Sequence, residues 1–148
     1  MIRILDTMTL IHLCADALYV REEHACYVPL DIEEEFLGNS KNDAWFKKNY
    51  FLEERIDDAE YLTEYAHYLN RYSGVNFYSL KGFGDVAILA VLGILVKAAP
   101  PTLSLSEDIF PHHSIRLVTN DRTLGNFVRR VFAGRVVVEG SASFASNL

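Results

Sequence analysis

The scarcest features of this chain narrow its nature first. It has two cysteines, Cys14 and Cys26, too few for a disulfide scaffold and ordinary for reduced thiols in a cytosolic protein. It has no basic excess: the net charge of −6 argues against nucleic-acid binding through bulk basicity. Its longest apolar run, VAILAVLGILV (Val86–Val96), falls well short of the ~20 residues that cross a bilayer and reads as a core helix. The opening MIRILDTMTL lacks the basic segment and apolar run of a signal peptide. A cytoplasmic, soluble protein with no membrane partner is the expectation. Neither a G-x-S-x-G nucleophile motif nor a G-x-x-x-x-G-K-[ST] phosphate loop occurs, and Gly82-x-Gly84 is too short for a dinucleotide fingerprint.

What is present suits one globular domain spanning 1–148. Half of the 148 residues are hydrophobic and 23% are charged, enough for a single substantial core. The charge is uneven: residues 1–60 hold six Lys/Arg against fourteen Asp/Glu, whereas residues 61–148 hold eight against six. No repeat, low-complexity segment or linker divides the chain.

Apolar patterning predicts a strand over Ile2–Leu5 ended by Asp6-Thr7, then a helix over Thr9–Leu18. A strand over Ala25–Val28 stops at Pro29. Asp31 and Glu34 match a capping box that opens a helix through Glu35 and Leu37, and Gly38–Asp43 reads as a loop. Glu53–Tyr72 carries Ile56, Ala59, Leu62, Ala66 and Leu69 at helical spacing, with Gly74 as a stop. A glycine-marked turn at Gly82–Asp85 leads into the apolar helix, which Pro100-Pro101 breaks. A strand over Ile115–Val118, a helix over Thr123–Phe132 and a strand over Arg135–Val138 complete the chain. Alternating strands and helices indicate an α/β domain with a mostly parallel sheet. Such sheets bind ligands beyond the carboxyl ends of their strands.

Four acids stand at those ends: Asp6, Glu35, Asp85 and Asp121. Each has an ordinary structural reading, as a helix cap or part of an acidic helix start. As a set they carry chemistry, because right-handed crossovers bring strand ends and following helix starts to one edge. Carboxylates packed together resist joint ionisation unless a cation accompanies them. Oxygen ligands of this kind suit Mg²⁺ or Mn²⁺, and the chemistry that follows is phosphodiester hydrolysis by an activated water.

The blocks RILDTMTLIHL, VPLDIEEEFL, LKGFGDVAILA, LVTNDRTL and RVVVEGS, in that order, resemble those of the PIN-domain family of metal-dependent nucleases, which includes VapC-type toxin ribonucleases. The resemblance spans nearly the whole chain. It implies a three-layer α/β/α sandwich, Mg²⁺ or Mn²⁺ as cofactor and RNA as substrate. It also implies an antitoxin protein as partner and a homodimer. Carried over by position, it makes Asp6, Glu35, Asp85 and Asp121 the catalytic and metal-binding acids, with Thr7, Thr119 and Asn120 in support. Met8 and Thr123 depart from the family pattern, where Asn and an acid are common. A catalytically silent PIN-like module that binds RNA or a protein is the alternative.

Other signals carry less. Arg122, Arg129 and Arg130 face either RNA phosphates or plain solvent. AWFKKNYF (Ala44–Phe51) offers rings for base stacking or, the favoured reading, for packing. His12-Leu-Cys14 and His24-Ala-Cys26 lack zinc-ligand spacing, so both cysteines are expected in the core. His112-His113 reads as a solvated loop.

Overall fold

A computed structural model describes residues 1–53, 56–71, 83–98 and 114–148. The predicted stops at Gly74 and Pro100-Pro101, the turn residue Gly82 and the pair His112-His113 lie outside the described residues.

Among the described residues four strands form one sheet: β1 (Ile2–Leu5), β2 (Cys26–Tyr27), β3 (Ile115–Val118) and β4 (Val136–Glu139). Every pairing is parallel, in the order β2-β1-β3-β4. Among the described residues seven α-helices accompany them: α1 (Thr7–Ala15), α2 (Leu30–Phe36), α3 (Ser40–Phe46), α4 (Asp58–Arg71), α5 (Phe83–Ala98), α6 (Arg122–Val131) and α7 (Ser141–Ala145). Successive strand residues point to opposite faces, yet Ile4, Leu5, Leu117 and Val118 are all fully buried. Both faces of the central strands are therefore covered. The architecture is α/β and compatible with a three-layer sandwich.

The strand order places a switch point. From β1 the chain moves outward on one side to β2, and later enters β3 on the other side of β1. Leu5 and Val118 are register partners, so Asp6 and Thr119 leave the sheet side by side. Crevices at such reversals, beyond the strands' carboxyl ends, are where open parallel sheets take ligands.

Several expectations change. The loop predicted over Gly38–Asp43 instead starts α3, because the Asn39 side chain accepts the Asn42 amide at 2.8 Å and caps it. Trp45 anchors that helix: it is buried, meets Phe36 edge-on at 5.7 Å and donates Nε1 to Leu18 O at 2.8 Å. Phe46 and Phe51 stack at 4.7 Å, so the aromatic segment packs, leaving Tyr50, Lys47 and Lys48 outside. Asp31 is not the cap of α2; Pro29 holds that place, and Asp31 accepts the Tyr61 hydroxyl at 2.9 Å. α7 was not foreseen.

The largest change concerns α4. Its Ala59, Leu62, Ala66 and Leu69 stripe faces outward, with Leu62 64% exposed. Buried instead are Glu64 and Tyr68, with Tyr61 and Tyr65 half-buried. These pack on α5 through Gly93, where a Cβ would lie 2.9 Å from Glu64 Oε2 and 2.9 Å from the Tyr68 hydroxyl. The Lys97 ammonium on α5 pairs with the Glu64 carboxylate, which is what allows an acid into this helix contact.

Candidate functional site at the carboxyl edge of the sheet

β1 ends in Asp6 because the helix that follows needs a cap. The Asp6 backbone is extended and its Oδ1 accepts the Thr9 amide at 2.8 Å, which satisfies one of the orphan donors of the first helical turn. Asp121 does the same for α6, accepting the Leu124 amide through Oδ1 at 3.1 Å. Both are thus caps, and the structural reading of each is correct as far as it goes. Capping does not require burial, however, and Asp6 is only 7% exposed.

The second oxygen of Asp6 accounts for the rest. Thr119 Oγ1 donates to Asp6 Oδ2 and accepts the Asp121 amide at 3.0 Å. One hydroxyl, donating once and accepting once, therefore couples the ends of β1 and β3. Burial pushes the Asp6 carboxyl above the usual aspartate range, the hydrogen bonds from Thr119 and Thr9 oppose that, and the Asp121 charge adds to it. The two acids are close enough to feel each other, with Asp6 the one held away from water.

A second network braces this edge. Thr9 Oγ1 donates to Val118 O at 3.1 Å and lies 2.7 Å from Ser141 Oγ. Thr9 has a single hydroxyl proton, committed to that carbonyl, so the Ser141 hydroxyl is the donor between the two. The Ser141 amide donates to Asn120 Oδ1 at 2.9 Å. Three connections, after β1, β3 and β4, are so fastened together. Asn120 supports Ser141, not an acid. Thr7 Oγ1 is buried and makes no hydrogen bond among the described residues. Thr9 and Ser141 were missed in the sequence; both sit at the first turns of the helices after β1 and β4, the positions where a hydroxyl can reach a neighbouring strand end.

Glu35 and Asp85 form a second group. Asp85 is buried in the first turn of α5. Glu35, exposed near the end of α2, brings its carboxylate against Gly84: a Cβ there would stand 2.7 Å from Glu35 Oε2. Residues far apart in sequence thus meet, at one step from Asp85. The structure links Asp6 to Asp121 through Thr119, and sets Glu35 against Gly84, the residue before Asp85 in α5.

The donor chemistry of these acids suits a hard cation, but their placement does not make a cage for one. Among the described residues, no three His, Cys, Asp or Glu side chains converge so as to hold a metal ion, and both Asp6 oxygens are engaged by protein donors.

Arg122 opens α6 directly after Asp121 and is exposed. Arg129 and Arg130 lie in the last turn of the same helix, roughly 10–12 Å further along its axis. There Arg129 bonds Asn126 at 3.2 Å and Arg130 lies 5.7 Å from the Phe127 ring centre, an ordinary arrangement for cations at a helix C-terminus. They thus stand at the opposite end of α6 from Asp121, its cap. Cys26 is fully buried, its thiol pushed up to about 12 chiefly by burial, and Cys14 is buried too; both are core residues. A cleft of about 750 Å³ lies elsewhere, lined by Tyr27, Val28, Glu33, Ile56 and Tyr61 among others, and none of the four acids lines it. Among the described residues, no helix is long and apolar enough to cross a membrane.

Set against family profiles, curated proteins and solved structures, the chain shows no match in any of the three.

Proposed function

We propose that this protein is a PIN-like endoribonuclease that hydrolyses RNA phosphodiester bonds with Asp6, Glu35, Asp85 and Asp121. The observation that carries this reading is the coupling of Asp6 to Asp121 through Thr119 at the β1/β3 switch point. A purely structural cap has no need of a buried carboxylate held between two donors and facing a second acid. A carboxylate held above its usual pKa accepts a proton from water more readily than a solvated one, which fits Asp6 to water activation. Carboxylates by themselves repel a phosphodiester, so Asp121, Glu35 and Asp85 enter this reading as the acids the resemblance names, and Arg122, exposed directly after Asp121, is its phosphate contact.

The requirement for Mg²⁺ or Mn²⁺, the RNA substrate, a toxin role with an antitoxin partner, homodimerisation and a cytoplasmic setting all enter through the sequence resemblance. No chemical step is assigned to a metal here, since the acids as placed do not converge on one.

A catalytically silent PIN-like module is the second reading. It is favoured by one observation, the lack of any three-acid grouping among the described residues. Cleavage of a mixed RNA pool, with EDTA, Mg²⁺ or Mn²⁺ present, separates the two. The nuclease reading expects metal-dependent cutting that Asp6→Asn and Asp121→Asn each reduce by more than tenfold, equivalent to at least ~1.4 kcal/mol of transition-state stabilisation. A folded wild type that cuts nothing under any of these conditions supports the silent module.

A further inference from the structure

We infer that Gly84 is a positioning residue for Glu35: its missing side chain is what lets the Glu35 carboxylate rest on the first turn of α5, at the residue before Asp85. This inference rests on the nuclease reading above and names a residue that reading does not use.

Glycine is a costly choice at this position. Gly84 is the second residue of α5, and helical positions favour alanine over glycine because glycine loses more backbone freedom on folding. Its backbone does not explain the choice, since it is not among the residues with positive φ. Nor does a rigid neighbour. The nearest atoms to an added Cβ are Glu35 Oε2 at 2.7 Å, at the end of an exposed side chain, and the terminal Cδ1 of buried Ile32 at 3.1 Å. Gly93, in the same helix, is a useful contrast. There the Cβ would meet Tyr68 Cε2 at 3.2 Å as well as two polar atoms, in a helix–helix contact held by buried Tyr68 and Glu64. At Gly84 the tightest contact of an added methyl is with the exposed Glu35 carboxylate, while the buried Ile32 methyl has to give by only a few tenths of an ångström.

A side chain that only filled space would leave function alone. If Glu35 works from its present place, a methyl at Gly84 harms the reaction while the fold is unharmed or improved. Placement of catalytic groups is sensitive on this scale, because a displacement of about 1 Å can cost about a hundredfold in rate. Shortening the acid by one methylene frees space against the new methyl, so Glu35→Asp is the natural compensating change.

The test compares wild type, Gly84→Ala, Glu35→Asp and the double variant, with Asp6→Asn as the inactive reference. Thermal midpoint, RNA affinity in EDTA, KM and kcat are read for each. The expected result for Gly84→Ala is an equal or higher midpoint and unchanged RNA affinity and KM. Its kcat falls at least tenfold, and the double variant recovers at least threefold over Gly84→Ala alone. A Gly84→Ala protein with kcat within twofold of wild type overturns the inference, as does a kcat loss that tracks a lowered midpoint or that Glu35→Asp fails to relieve. A wild type that does not cut RNA, or an Asp6→Asn protein that cuts as well, overturns the underlying reading and the inference with it.

Discussion

The Thr119 hydroxyl ties the buried carboxylate that follows β1 to the backbone that follows β3. Its removal and the removal of the Asp6 charge should move stability in opposite directions. Thr119→Val preserves shape but leaves the Asp6 carboxylate and the Asp121 amide each short of a partner, which costs on the order of 1–3 kcal/mol. Asp6→Asn keeps an oxygen for the Thr9 amide and discards a buried charge. A carboxyl whose folded pKa is raised binds its proton more readily when folded, so the native chain gains stability as pH falls. At neutral pH that charge is a burden on the wild type. In EDTA, Asp6→Asn should therefore melt higher than wild type at pH 7, and the advantage should fade as pH falls toward the ordinary aspartate value of 3.8. Thermal denaturation across pH 4–8 reads both effects. Asp6 was legible in the sequence as an acid at a strand end, but its burial was not. Thr9 and Ser141 were not singled out at all, because their roles depend on a contact across 132 positions.

At the scale of elements, periodicity located helices better than it oriented them. α4 was expected from its Ala and Leu spacing, and a helix is there. Its buried face is the other one. Tyr61, Tyr65 and Tyr68 also recur at helical spacing, and they pack inward while Leu62 and Leu69 look out. A pattern count favours leucine over tyrosine and glutamate; it has no knowledge of Lys97, the partner that admits Glu64 to the contact with α5. This orientation predicts contrasting tolerance. Leu62→Ser, on the exposed face, should change stability by no more than ~0.5 kcal/mol. Gly93→Ala should destabilise by about 1–3 kcal/mol, because a methyl group there must push α4 and α5 apart or drive Tyr68 off its rotamer. Chemical denaturation of the two variants checks the orientation directly. The missed α3 and α7 share a reason: both are short, and their starts are set by contacts, Asn39 capping one and Asn120 receiving the first amide of the other.

For the whole molecule, the alternation of strands and helices was enough to foresee a parallel sheet, and the sheet order β2-β1-β3-β4 explains why the first and third strands matter most. The switch point sits between them, and the acid pair sits at the switch point. What alternation cannot convey is how far Glu35 and the α5 turn stand from that pair in the working state, since those acids arrive on helices rather than on strand ends. The central claim is that the two groups of acids act as one site. Its most direct test is a double-mutant cycle on RNA cleavage with Asp6→Asn, Glu35→Gln and the two combined, in Mn²⁺ and with the fold verified for each. Groups that act as a unit are strongly non-additive, so the account predicts that the double variant is no slower, within about threefold, than the worse single one. Losses that simply multiply, or a Glu35→Gln protein as fast as wild type, would contradict it.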